Sequence, residues 1–180
     1  IYIDDTASIT VQQIKAKLRR MKNLGLVVID YLGLIQTTLK TENRVQIISE
    51  ITRQLKIMAK ELDVPVILLS QLSRGPESRT DKRPMLSDLR ESGSIEQDAD
   101  MVIFIHRYDY QGLSENADDI GRTQIIIAKH RNGAIDDVDM KFRADEVRFV
   151  DLSDTVYAQA DSFGVESAMN QEFPSGGEFE

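Results

Sequence analysis

Short uninterrupted apolar runs alternate along the chain with stretches whose apolar positions recur every three or four residues. Leu26–Ile29, Val66–Leu69 and Met101–Ile105 are continuous runs, and Gln124–Ala128, apolar after its first residue, predicts a fourth strand. Runs of this length and texture predict strands buried on both faces. Between them the period is helical. Val11, Ile14, Leu18 and Met21 follow Thr10, which forms a capping-box pattern with Gln13, and Gly25 is the expected stop. From Glu42 to Leu62 one apolar stripe runs through Ile47, Ile48, Ile51, Leu55, Met58 and Leu62, ended by Asp63 and Pro65. Ile1–Ile3 is an apolar stub closed by Asp4 and Asp5. Ser73–Pro84, with Gly75 and Pro76, reads as a mobile loop, and a second loop rich in Asp, Asn and Gly covers 109–122. Asp88–Asp98 is a short polar segment around Gly93. Val138, Met140 and Phe142, then Val147, Phe149 and Leu152, alternate with polar residues across Ala144–Asp145, which predicts a hairpin. Strands alternating with amphipathic helices predict an α/β domain with a mostly parallel sheet, whose ligands bind at the carboxyl ends of the strands.

Composition narrows this picture. With 180 residues, 41% hydrophobic and 29% charged, the chain has the size and balance of one soluble domain. The net charge of −8 is uneven: residues 151–180 carry seven acids and no Lys or Arg, which leaves 22 basic against 23 acidic side chains in residues 1–150. A near-neutral body lacks the broad positive field of a simple electrostatic DNA binder. The acidic end has no sustained period and is expected to be disordered. There is no cysteine, so neither a disulfide framework nor a thiolate metal site is available. His106 and His130 alone leave little material for a zinc site or a Ser-His-Asp triad. No apolar run reaches bilayer length, and the first residues lack a signal-peptide pattern.

The polar residues just beyond each strand carry the candidate chemistry. Asp30 ends the first run, either as a Walker B carboxylate that holds Mg²⁺ through water or as an acid that opens a loop. Gln71 follows the second run, where an amide can sense a γ-phosphate or satisfy loop backbone. Arg90-Glu91-Ser92-Gly93-Ser94 can form a turn whose N–H groups cradle phosphates; equally, Ser94 with Gln97 matches a capping box. Lys129 and Arg131 stand two apart beyond the fourth run, as cations offered to phosphate in trans or as ordinary surface bases.

In order along the chain, "GLVVIDYLGLIQ", "ISEITRQLKIMAKELDVPVILLSQLSR", "DKRPMLSDLRESGSIEQDADMVIFIHR" and "IIIAKHRNG" resemble the C-terminal motor domain of bacterial replicative DNA helicases, the DnaB family. The resemblance covers about residues 1–150 and leaves the 151–180 tail aside. It implies a partial RecA-like P-loop NTPase core and an ATP- and Mg²⁺-dependent motor. It also implies a cytoplasmic homo-hexamer that unwinds duplex DNA while moving on single-stranded DNA, with primase and a helicase loader as partners of the full-length family and no membrane. By matching motif, Asp30 resembles the Walker B aspartate and Gln71 the γ-phosphate sensor. Arg90, Glu91 and Gly93 resemble the loop that follows DNA phosphates. Lys129 and Arg131 resemble the basic pair that reaches a neighbour's nucleotide.

The chain also departs from the family pattern. No G-x-x-x-x-G-K-[ST] occurs in it, and "RGPESR" at 74–79 lacks the required ending. The family's catalytic glutamate is expected upstream of residue 1. Gly33 stands where the family usually has Gln, and Ala134 where it usually has Pro. The sequence thus reads as a helicase fragment carrying the trans half of an ATP site and the DNA loop, inactive alone. The alternative is a non-catalytic RecA-like DNA-binding or assembly module.

Overall fold

The computed structural model describes residues 1–73, 76, 79–109 and 120–152, and of residues 90–92 the backbone only. Most of the 109–122 loop and nearly all of the acidic 151–180 segment lie outside the described residues. The chain divides into two units. One comprises Ile1–Phe104 and Ile126–Asp136; the other comprises Ile105–Ile125 and the chain from Asp137 onward.

The elements follow in order: β1 (Ile9–Thr10), α1 (Val11–Leu18), β2 (Val27–Ile29), β3 (Ile35–Gln36), α2 (Arg44–Leu62), β4 (Val66–Leu68), α3 (Gly93–Asp98), β5 (Met101–Arg107), β6 (Arg122–His130), β7 (Asp136–Arg143) and β8 (Arg148–Asp151). Short 3₁₀ segments cover Leu32–Leu34 and Leu86–Ser92. β1 pairs with β3 and β2 with β4, both in parallel, while β5 to β8 form a four-stranded sheet in chain order. Arg131 donates its N–H to Asp100 at one end of the β5–β6 pair, and Tyr108 donates to Arg122 at the other. Those two strands therefore run in opposite directions. The predicted hairpin is β7–β8, antiparallel, with Phe142 opposite Phe149 and their rings 5.0 Å apart.

In the first unit the helices take the shape that their patterns require. Thr10 and Gln13 form the reciprocal capping box of α1. That helix ends at Leu18 rather than near Gly25: Arg20 and Met21 donate to carbonyls three residues back, a tight final turn, and Asn23 then takes a left-handed φ of 57°. Asn43 caps α2 by accepting from the N–H groups of Val45 and Gln46, so the helix starts at Arg44. Its stripe supplies Ile48, Ile51, Leu55 and Met58 to a core shared with Val11, Leu32 and Ile35. A second core holds Leu89, Val102, Phe104 and Ile126, and Ile95 of α3 packs against both.

The strands differ from the expectation that both faces are buried. Register pairs Val27 with Val66 and Ile29 with Leu68, and three of these four (Ile29, Val66 and Leu68) join the first core. Val28 and Ile67, paired between them, are 57% and 48% exposed. In β5, Val102 and Phe104 point inward while Met101 and Ile103 stay exposed. An all-apolar run carries no alternation, so it cannot say which face is covered. Among the described residues no helix is long and apolar enough to cross a membrane.

Candidate functional site

The carboxyl edge of the β2–β4 pair brings two of the singled-out residues together. The parallel ladder extends past both strands: Leu69 donates its N–H to Ile29 over 3.0 Å, and Leu32 donates to Leu69 over 2.8 Å. Asp30 and Gln71 thus leave adjacent strands at the same edge, and both are exposed. Gln71, Tyr31 and Ser70 line a cavity of about 420 Å³ together with Arg44, Asp88 and Leu89. A Cβ at Gly33 would lie 2.5 Å from the Tyr31 ring, so the absent side chain there lets that ring lie against residue 33. An exposed carboxylate is a hard oxygen donor and suits a Mg²⁺ that keeps several waters. Among the described residues no group of three or more His, Cys, Asp or Glu is placed to hold a metal by itself.

The segment read as a phosphate-following loop occupies the 3₁₀ helix Leu86–Ser92 and the first residue of α3. Arg90 and Glu91 lie in the 3₁₀ helix, and their side chains are outside the described residues. Gly93 opens α3, and a Cβ built there meets nothing within 4 Å. No packing among the described residues excludes a side chain at Gly93. Ser94 lies within α3 instead of capping it, so the alternative Ser94–Gln97 capping box does not form.

An ion pair that the sequence did not reveal has its acid within the 3₁₀ segment, just before Arg90. Asp88 is 5% exposed and accepts from Arg79 through both guanidinium nitrogens, at 3.0 and 2.5 Å. It also accepts from the N–H of Met85 at 2.7 Å, while Arg79 bonds the carbonyl of Arg83 at 2.6 Å. Arg79 holds the Asp88 carboxyl below the usual carboxylate range; desolvation opposes that shift and the Met85 N–H adds to it. At Arg79 and Arg83 the stretch expected to be a mobile loop is therefore tied down. Its only sequence signal is a basic residue and an acid flanking a Pro-containing turn.

Lys129 and Arg131 are also brought together, at the C-terminal end of α3. The Lys129 ammonium donates to the carbonyls of Glu96 and, over 2.9 Å, Ala99. The Arg131 guanidinium donates to the Gln97 carbonyl and, over 3.3 Å, to Asp100. Asp100 also pairs with Lys56, which with Arg131 and Lys60 holds its carboxyl below the usual range. Asp98 accepts from the Thr52 hydroxyl at 2.6 Å. Sequence reading missed Asp98 and Asp100 as well, because their partners arrive from α2 and from the residue just past β6. Among the described residues, no hydrogen bond or ion pair joins the Asp30–Gln71 edge to the Lys129–Arg131 pair. His106 is 1% exposed and packs edge-on against Tyr108 at 4.6 Å within the second unit.

Comparison with known proteins adds the wider context. Residues 1–151 match the model of the DnaB-like helicase C terminal domain. The chain is 57% identical over 157 residues to the replicative DNA helicase DnaB of Geobacillus stearothermophilus, a match covering 84% of this chain and 34% of that one. It is 55% identical over 157 residues to the replicative DNA helicase DnaC of Bacillus subtilis (strain 168), with the same coverage of each. Among solved structures, a DnaB-like replicative helicase, described with its interactions with primase, superposes with a TM-score of 0.77 at 46% identity, covering 84% of this chain and 38% of that chain. A separately solved ATPase domain superposes equally well and is covered over 55% of its length. The chain spans about a third of the length of the curated relatives it matches.

Proposed function

Because this chain belongs to the family of DnaB-like helicase C-terminal domains, we propose that it serves as part of a hexameric replicative helicase. That machine would hydrolyse Mg²⁺-ATP to move along single-stranded DNA and unwind the duplex ahead. The observation that carries this reading is the shared carboxyl edge of β2 and β4, where Asp30 and, two residues beyond its level, Gln71 leave parallel strands paired in register. Bound Mg²⁺-ATP supplies the phosphoryl group that is transferred. Asp30 would orient the water shell of the metal, and Gln71 would hydrogen-bond the γ-phosphate and report its loss. Lys129 and Arg131 would offer cations to the nucleotide of a neighbouring subunit, a contribution of about 10³–10⁵ in rate where such fingers are known. Lys129 has a third N–H beyond the two carbonyls it serves here. Arg90, Glu91 and the backbone at Gly93 would follow the phosphates of the DNA strand without reading its bases. Residues 1–150 are taken as the motor portion and 151–180 as an acidic tail. Primase and a loader are the partners proposed for the complete protein.

No phosphate-cradling loop lies within residues 1–180, so the chain alone should show background ATPase. The test grafts residues 1–151 into the Geobacillus stearothermophilus helicase in place of the matching segment. DNA-stimulated ATPase and unwinding are expected, and Asp30→Asn should abolish turnover while leaving hexamers intact. Turnover that survives Asp30→Asn overturns the assignment of that residue. A graft that assembles and binds DNA without hydrolysis favours the non-catalytic module instead.

A further inference from the structure

α3 has six residues, Gly93–Asp98, and none of them is fully buried. A helix this short does not hold itself, because ordering its first turn costs more than its few hydrogen bonds return. Its last carbonyls have no partners within the helix. Side chains at and just past the end of β6 supply partners there: Lys129 takes the Glu96 carbonyl and that of Ala99 just beyond the helix, and Arg131 takes the Gln97 carbonyl and the side chain of Asp100. Positive charge at that end also opposes the negative pole of the helix. The other end of the same helix is Gly93, which continues directly from Arg90 and Glu91.

We propose that Lys129 and Arg131 are positioning residues for the 90–93 loop: by capping the C-terminal end of α3 within their own chain, they fix where the Gly93 backbone stands. The proposal rests on the reading of residues 90–93 as a DNA loop. It makes the strand end offered to a neighbour's nucleotide the same element that holds the DNA loop in place. Six residues of helix then separate the two, and no longer relay is needed.

The test uses the 180-residue chain. Hydrogen exchange is followed at the Ala99 amide, which donates to Ile95 over 3.0 Å, and at amides inside α2 as an internal control. Lys129→Met removes the donors but keeps the stem, whereas Lys129→Arg keeps donors. Lys129→Met should speed exchange at Ala99 about tenfold, with α2 unchanged, and Lys129→Arg should restore most of the protection. Affinity for oligo-dT at low salt should fall several-fold in Lys129→Met, and this loss should vanish in an Arg90→Ala background. Unchanged exchange at Ala99 overturns the proposal. So does faster exchange with oligo-dT affinity unaltered, since the cap would then position nothing. A wild-type chain that binds no oligo-dT, while Ala99 still loses protection in the variant, overturns the DNA role but leaves the cap standing. That outcome locates the failure in the reading of residues 90–93.

Discussion

Asp88 must be ionised to hold Arg79, and this ties stability to pH. Its folded pKa is depressed by Arg79, so its contribution is complete above the ordinary carboxylate range and is lost as pH falls through the depressed value. Asp88→Asn should cost about 1–2 kcal/mol near neutral pH, because the half-buried Arg79 keeps its charge and loses its counter-charge. Urea denaturation at pH 7 and at about pH 3 checks this; the gap between wild type and variant should narrow below about pH 4. An equal gap at both values would remove ionisation from the account. Residues of this kind divide by where their partners lie. Asp30 and Gln71 stood out because each follows an apolar run at the end of a parallel strand, where ligands meet such folds; Lys129 and Arg131 stood out by the same apolar run, although β6 lies antiparallel to β5. What Lys129 and Arg131 bond was not legible, since the carbonyls at the end of a short helix leave no mark in the sequence. Asp88 was illegible for a related reason: its partner is brought back by a polar loop that has no period.

At the scale of elements, helical period read well and strand surroundings did not. The stripe of α2 named Ile48, Ile51, Leu55 and Met58, apolar residues that the helix buries. The Thr10–Gln13 cap was equally plain, because both halves of the motif sit three residues apart in one segment. β1 and β3, two residues each, were too short to carry a pattern. Whether a run pairs in parallel or antiparallel is decided by neighbours distant in sequence, which is why the β5–β6 pairing could not be read. The start of β6, where it meets the end of β7, offers a sharp test. Gly121 takes a φ of +76°, and a Cβ there would collide with the carbonyl oxygen of Phe142. The carbonyl of Gly121 receives the Phe142 N–H at 2.7 Å. Gly121→Ala should therefore destabilise the second unit by about 1–3 kcal/mol, combining backbone strain with the lost pairing. Loss of protection at the Phe142 amide, measured by hydrogen exchange, would register it; unchanged protection would show that the turn has another conformation open to it.

For the whole molecule, family membership was legible in the ordered series of motifs, above all the run from Asp88 to Asp100, whereas the division into two units was not. The boundaries fall within β5 and β6, at Phe104–Ile105 and Ile125–Ile126, and at the start of β7, between Asp136 and Asp137. Continuous apolar strands give no sign of such a boundary. The chain as a whole should turn over no ATP above background with Mg²⁺ and single-stranded DNA. Phosphoryl transfer depends mostly on positioning, and the loop that positions the phosphates is not in these residues. Steady-state phosphate release checks this. A rate that Asp30→Asn abolishes would mean that a complete site exists within the 180 residues.

The exposed side of the short strands has a practical consequence for the protein in a test tube. Val28, Ile67, Met101 and Ile103 show water between 41% and 57% of their surface. Branched and long aliphatic side chains presented in rows make a sticky colloid. A net charge of −8 holds such particles apart at low ionic strength, and added salt screens that repulsion. The purified chain should brighten the dye ANS while its melting transition stays cooperative, and its light scattering should climb as sodium chloride is raised. Replacing Val28 and Ile67 together by Thr should lower both signals. Undiminished dye fluorescence in that double variant would trace the stickiness to some other surface.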